Sequence, residues 1–403
     1  MIVLSRGFYI FNKKRKRRKK MEERKVRVAI THGDTNGTGY ELIFKTFAEP
    51  TMLELCTPIV YGSPKVAIYH RNALGLQANF TVIGKAEDAQ DGKINMIAAY
   101  DEETKVELGT PTADSAVAAF KALKRAADDA SAHLVDALVA LPVRKGVQVN
   151  GQPFEGQLSY LEKRTESTGK AFNMLLNEQL RLALATSDIP LKDIIQYITP
   201  EQLRQRIATL HGLLKRDFRL STPRIAVLAL NPKGENGAWG NEEETIIKPV
   251  IKALEGAGIQ AFGPYAADEF FANRSFEFYD AVLAMYSDQG TVPFMTLDQG
   301  EGYGFLAGLP VVCTMPIYGT ATEIGGKGLA DECSFRHAVF AAIDMSRNRI
   351  NYDEPLKNPL PKLYHEKRDE SEKVRFAIPK KHDAGDKDDK KGKARKSEEE
   401  TAE

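Results

Sequence analysis

The segment LAMYSDQG, Leu283 to Gly290, is an apolar run that breaks into Ser287, Asp288, Gln289 and Gly290. Buried strands that end this way usually deliver a catalytic group to their tip, yet serine is a weak ligand and a weak base. Other apolar runs break similarly. THGDTNGTG spans Thr31 to Gly39, LPVRKG spans Leu141 to Gly146, and LNPKGENGAWG spans Leu230 to Gly240. Each offers a different chemistry. The glycines of Gly33–Gly39 let backbone N–H groups approach a phosphate, or simply make a tight turn. The loop lacks the lysine of a P-loop and the full G-x-G-x-x-G spacing. Arg144 and Lys145 suit an anionic ligand, or form a solvated basic turn. Lys233 and Trp239, the single tryptophan, precede a helix, where the ring serves as a packing lid or a stacking platform.

Of seven histidines, only His32 falls in one of these loops. No two are spaced as a metal pair, and no H-E-x-x-H is present. Neither a Ser–His nor a Cys–His nucleophile arrangement is indicated.

The elements that must position these loops alternate strand and helix. Val26–Thr31, Leu134–Leu141, Ile225–Leu230, Ala281–Tyr286 and Leu309–Met315 are short apolar runs that end in Gly- or Pro-containing loops, as parallel strands buried on both faces do. Ala113–Ala132 is expected to be a helix with Val117, Phe120, Leu123 and Ala127 on one face. Glu242–Leu254 is a second helix, with Asn241 and Glu244 spaced as a capping box, and Ser334–Asn348 is an amphipathic closing helix. In α/β chains of this kind ligands bind at the carboxyl ends of strands, which is where the loops lie.

Composition sets the class. The 403 residues hold 56 Lys+Arg against 55 Asp+Glu and are 42% apolar, ordinary for roughly two domains of globular chain. Three cysteines are too few for a disulfide framework and point to a reduced, cytoplasmic setting. No run approaches the about 20 apolar residues that span a bilayer. The expected organisation is a basic, disordered extension over 1–20, an α/β domain over 21–350, and a charged tail over 351–403 that buries too little to order itself. A nucleic-acid role for Lys13–Lys20 lacks an accompanying aromatic platform.

Together, ITHGDTNGTGYEL, PVRKGV, PFEGQ, RLALATSDIPL, ITPEQL, RIAVLALNPKGENG, GPYAAD, AVLAMYSDQG and GTATEIGGKGLAD resemble the 4-hydroxythreonine-4-phosphate dehydrogenase family of vitamin B6 biosynthesis. The resemblance runs from Lys25 to Asn348. It implies an α/β homodimer of two-lobed subunits with parallel or mixed sheets flanked by helices and an interlobe cleft, related to isopropylmalate dehydrogenase. It also implies NAD(P)-dependent oxidation of 4-phosphohydroxy-L-threonine, followed by loss of carbon dioxide, with a divalent metal held by three histidines as Lewis acid.

At the positions where the resemblance places those histidines, this chain has Asp188, Lys233 and Ser287. At the substrate positions it has Gln157 and Leu158 after Gly156, then Met295, Gly304 and Cys313. Losing one electrophilic group costs about 10²–10³ in rate, and each lost charge-assisted hydrogen bond about 1.5–3 kcal/mol. Lys145, Asn231, Asp268, Asp288, Gln289, Gly290 and the glycines of GTATEIGGKG match the family. Lys145 and Asp288 are the candidate catalytic residues, and Asp268, Gly319, Gly325 and Gly326 the candidate NAD or NADP contacts. The expectation is a family member with lost or altered catalysis, no bound metal, and room for a small anionic or phosphorylated ligand. Lys233 is expected to pair with Asp188. The alternative is an active dehydrogenase on another substrate, with Asp188, Asp288 and Asp34 holding Mg²⁺ or Mn²⁺.

Overall fold

The computed structural model describes residues 24–100, 104–149, 151–167, 169–232 and 240–357. The basic extension, the tail from residue 358, Lys233 and Trp239 lie outside these. The chain divides after Pro355, and every strand belongs to the unit before that point.

Among the described residues fourteen strands form: β1 (Val26–Thr31), β2 (Cys56–Gly62), β3 (Phe80–Ile83), β4 (Ile94–Ala98), β5 (Ala137–Val139), β6 (Gln148–Val149), β7 (Gln152–Pro153), β8 (Phe172–Leu176), β9 (Arg181–Leu184), β10 (Arg224–Leu228), β11 (Gln260–Tyr265), β12 (Ala281–Ala284), β13 (Tyr303–Ala307) and β14 (Val312–Pro316). β6 and β7 make a small hairpin, and the other twelve share one sheet in the order β11-β10-β12-β9-β8-β13-β14-β5-β1-β2-β4-β3. Within β11-β10-β12-β9 all pairs are parallel, as they are within β14-β5-β1-β2-β4-β3. Three antiparallel steps separate the blocks, β9–β8, β8–β13 and β13–β14. The two parallel blocks therefore run in opposite directions, each forming half of an α/β molecule with a mixed sheet.

Helices cover the sheet: α1 (Gly39–Ala48), α2 (Pro50–Leu55), α3 (Pro64–Ala73), α4 (Ala113–Ser131), α5 (Gln157–Arg164), α6 (Pro200–Arg216), α7 (Lys248–Gly256), α8 (Ala267–Ala272), α9 (Ser287–Leu297) and α10 (Cys333–Leu356). Their starts follow local chemistry. Thr112 caps α4 and forms a reciprocal box with Ser115. Thr199 caps α6 ahead of Pro200, and Ser63 caps α3 ahead of Pro64, positions where the missing proline N–H costs nothing.

The buried face of α4 is Ala116, Ala119, Ala122, Leu123 and Ala126, all packed with Ala29, Ile59, Tyr61 and Leu138 of the sheet. Of the four residues expected on one face, Leu123 and Ala127 are buried, whereas Val117 and Phe120 are only partly buried. Alanine lets the helix lie close on the strands. The box expected from Asn241 and Glu244 does not form. Glu244 pairs with Lys248 instead, and Glu243–Ile247 is a π turn leading into α7.

Candidate functional site

Three neighbouring parallel strands, β10, β12 and β9, end at the same edge of the sheet. Their exits are tied together. The Ala185 N–H donates to Ala284 O at 2.8 Å and the Thr186 hydroxyl to Met285 O at 2.7 Å. Gln289 reaches across: its amide donates to Ala229 O at 2.6 Å while its carbonyl accepts from the Met285 N–H at 2.7 Å. Asp188, Asn231 and Ser287 are thereby delivered on adjacent tips. Ser287 opens α9, with Asp288 exposed in its first turn. Gly290 lets α9 settle on the sheet, since a Cβ there would lie 2.8 Å from Leu182 and 2.9 Å from Ala284.

The β10 tip carries a polar network that sequence did not reveal. Glu243 is buried and accepts from the Asn231 N–H at 2.8 Å and its amide at 3.0 Å, while Glu242 accepts from the same amide at 2.8 Å. The π turn rotates Glu243 inward. A π turn within a helix often marks a functional neighbourhood, and here it adjoins the loop that contains Lys233.

Lys145, from the other half of the molecule, meets this edge. Its ammonium donates to Asp188 Oδ1 at 2.5 Å, with both side chains more than half exposed. The expected partner of Asp188 is Lys233, which lies outside the described residues; the observed partner is Lys145. Arg144 takes a different direction and donates to Thr112 O at the cap of α4. The two cations that sequence places side by side are separated. Asp188 has φ +60°, a left-handed backbone that asparagine and aspartate tolerate best among residues with a Cβ.

Among the substrate-position residues, the Gln157 amide donates to Leu141 O at 2.8 Å and Leu158 packs on the α4 core. Gly156 has φ +129°, and a Cβ on it would lie 3.2 Å from Lys145 Cε. Met295 is exposed on α9. Gly304 and Cys313 are buried in β13 and β14, and burial pushes the Cys313 thiol up to about 12. Among the candidate cofactor residues, Asp268 and Gly319 are exposed. Gly325 and Gly326 are packed, with added Cβ atoms 2.3 Å from Asn36 O and 2.5 Å from Leu108. The loop after β1 thus locks onto the segment that contains these glycines.

Around that loop lies a buried aromatic group. The Tyr40 ring sits between His32 and His70, 5.1 Å from each. His70 Nε2 lies 2.7 Å from Thr35 O and the Tyr100 hydroxyl 3.2 Å from His32 Nε2. Burial drives His32 down to about 3, so it is a neutral core histidine at neutral pH. Asp34 is buried and its Oδ1 accepts from the Asn36 N–H at 2.9 Å. Among the described residues no group of three or more His, Cys, Asp and Glu is placed to hold a metal ion. Asp34, Asp188 and Asp288 therefore do not assemble into the alternative metal site.

Residues 54–342 match the model of the family described as pyridoxal phosphate biosynthetic protein PdxA. The chain belongs to the PdxA family. A PdxA-family relative from Bacteroides thetaiotaomicron, named 4-hydroxythreonine-4-phosphate dehydrogenase, is 46% identical over 358 residues, covering 88% of this chain and 98% of its own. A protein of the same name from Sulfurihydrogenibium is 34% identical, covering 80% and 99%. The crystal structure of the Klebsiella pneumoniae enzyme of that name superposes with a TM-score of 0.69 at 28% identity, covering 80% of this chain and 98% of that one. That of the Burkholderia phymatum enzyme gives 0.67 at 30%, covering 80% and 99%. The PdxA fold accounts for the α/β architecture above. No described helix is long and apolar enough to cross a membrane.

Proposed function

We propose that this PdxA-family chain binds a small phosphorylated or otherwise anionic ligand at the tips of β9, β10 and β12 and has lost the family's metal-dependent oxidation. One observation carries the reading: the Asp188 carboxylate is engaged by the Lys145 ammonium at 2.5 Å, at the position where the resemblance places a metal-binding histidine. The donor set does not suit a divalent cation. An ammonium beside the one carboxylate repels a metal, Ser287 offers a weak neutral hydroxyl, and Lys233 adds a further cation in sequence. Lewis-acid assistance would come from the metal alone, so this set leaves that role without a holder. What the chain's own residues retain is a cation, Lys145, with its stem against Gly156. That suits a phosphate or carboxylate.

Binding of NAD or NADP belongs to the same reading, because the glycine-rich segment 319–328 is kept together with its packing. Homodimer assembly belongs to it as well. The exposed Leu191, Ile195 and Tyr197 are apolar surface of the kind a second copy would cover, and light scattering on the purified chain would test this.

The deciding experiment is NAD(P)H formation from 4-phosphohydroxy-L-threonine with added Zn²⁺ or Mn²⁺, beside the triple variant Asp188→His/Lys233→His/Ser287→His. The native chain is expected to show no turnover, and the triple variant to gain metal binding by calorimetry. Turnover by the native chain at the rate of its Bacteroides relative would overturn the reading.

A further inference from the structure

We propose that Asp188 is a tethered counter-anion: its carboxylate occupies the Lys145 ammonium and competes with any anionic ligand for that cation. This rests on the reading above, that the strand tips receive an anion, and adds the residue that controls entry.

The pair is built from both sides. Asp188 leaves β9 directly after two fixed points. The Thr186 hydroxyl holds Met285 O, and the Asn173 amide donates to the Ser187 hydroxyl at 2.9 Å. With its backbone held left-handed at φ +60°, the carboxylate is aimed rather than trailing. Lys145 is held by different contacts. Its neighbour Arg144 is committed to the α4 cap, and its own stem lies over Gly156, where a Cβ would stand 3.2 Å away. The partners are 43 residues apart in sequence and come from opposite halves of the sheet.

Exposure makes the contact exchangeable. At 55% and 57% side-chain exposure the pair is solvated, and ion pairs of that kind contribute little to stability. A ligand dianion can therefore displace Asp188 from Lys145, whereas a monoanion merely exchanges one single charge for another. Asp188 thus raises the charge that a ligand needs, and it disfavours bound anions further through like-charge repulsion while the carboxylate stays near.

The test is phosphate binding to the full chain, measured by calorimetry with inorganic phosphate as the probe. Asp188→Asn and Asp188→Gly both remove the charge and tolerate φ +60°, so folding is preserved by at least one route, checked by thermal melts. Either variant is expected to tighten phosphate binding by about fivefold or more, from the lost pair and the lost repulsion. Lys145→Met is expected to abolish binding, and in that background Asp188→Asn should have no further effect. Unchanged or weaker binding in both Asp188 variants, with loss in Lys145→Met, overturns the counter-anion while leaving the anion site intact. Absence of phosphate binding in every variant overturns both. Acetate run in parallel should gain no more than phosphate from either Asp188 variant, because the repulsion that is removed scales with the charge of the ligand; a larger gain for acetate overturns the like-charge repulsion.

Discussion

The loop after β1 and the tips of β9, β10 and β12 are both strand ends, yet they are built in opposite ways. In the first, backbone meets backbone. A Cβ on Gly39 would lie 1.9 Å from His32 O, one on Gly37 2.3 Å from Thr320 O, and one on Gly325 2.3 Å from Asn36 O. In the second, Lys145, Asp188 and Asp288 stand exposed, and Lys145 and Asp188 pair with each other across solvent-facing ground. Close backbone contact leaves no room for exchange, whereas exposed side chains can be replaced at small cost to the fold. A scaffold locked in the first way can therefore persist while exposed residues at strand tips of the second kind change.

The largest effect that would sharpen this contrast is at the interlocked loops. Gly39→Ala is expected to lower stability by about 3 kcal/mol or more, because the obstructing atom is backbone and cannot swing aside. Scanning calorimetry measures this, and a melting temperature within a degree or two of the native value would break the contrast.

His32 gives the next effect. Its folded-state pKa of about 3 lies below the ordinary 6.5, so the folded protein refuses a proton that the unfolded chain accepts. Its contribution is fully present above pH 6.5 and declines as pH falls towards 3, by up to about 1.4 kcal/mol per pH unit. Between pH 6.5 and 4.5 the native chain should therefore lose about 2 to 3 kcal/mol more than His32→Phe does. Urea titrations across that range give the two slopes, and equal slopes would place His32 in contact with water.

At the β10 tip, Asn231→Ala strips buried Glu243 of its side-chain donor at 3.0 Å, although the backbone N–H of residue 231, at 2.8 Å, stays. The expected loss is about 1–3 kcal/mol, read from denaturant titrations; an unchanged midpoint would mean that water replaces the amide. This network marks the border between the two kinds of strand end, being buried at Glu243 and half-buried at Asn231.

Legibility in the sequence divides in the same way. β1 spans the expected Val26–Thr31, α4 ends one residue before the expected boundary, and α10 begins one residue early at Cys333 but runs on to Leu356, past the expected end at Asn348. β1 declares itself through an apolar run and α4 through its helical period, although alanines rather than Val117 and Phe120 form much of the inner face of α4. β8 and β13 do not. Each is about five residues long and antiparallel to its neighbours, so its identity depends on partners distant in sequence, and Gly304 weakens the strand signal of β13. The candidate site behaves likewise. Spacing singles out Lys145 beside Arg144, but only the folded chain sends one to Asp188 and the other to Thr112. The inward turn of Glu243 is invisible for the same reason, since it arises from a π turn and a bond to Asn231 rather than from any periodicity.

The smallest expected effect is on stability at the exposed pair. Lys145→Met and Asp188→Asn should each change the unfolding free energy by less than about 1 kcal/mol, since solvent screens an ion pair this open. Denaturant titrations of these variants, set beside Gly39→Ala, place both ends of the contrast on one scale. A loss of several kcal/mol at Asp188 would mean that the pair holds the two halves of the sheet together. Its left-handed backbone would then serve the fold rather than the ligand, and the strand tips would be as fixed as the loop after β1.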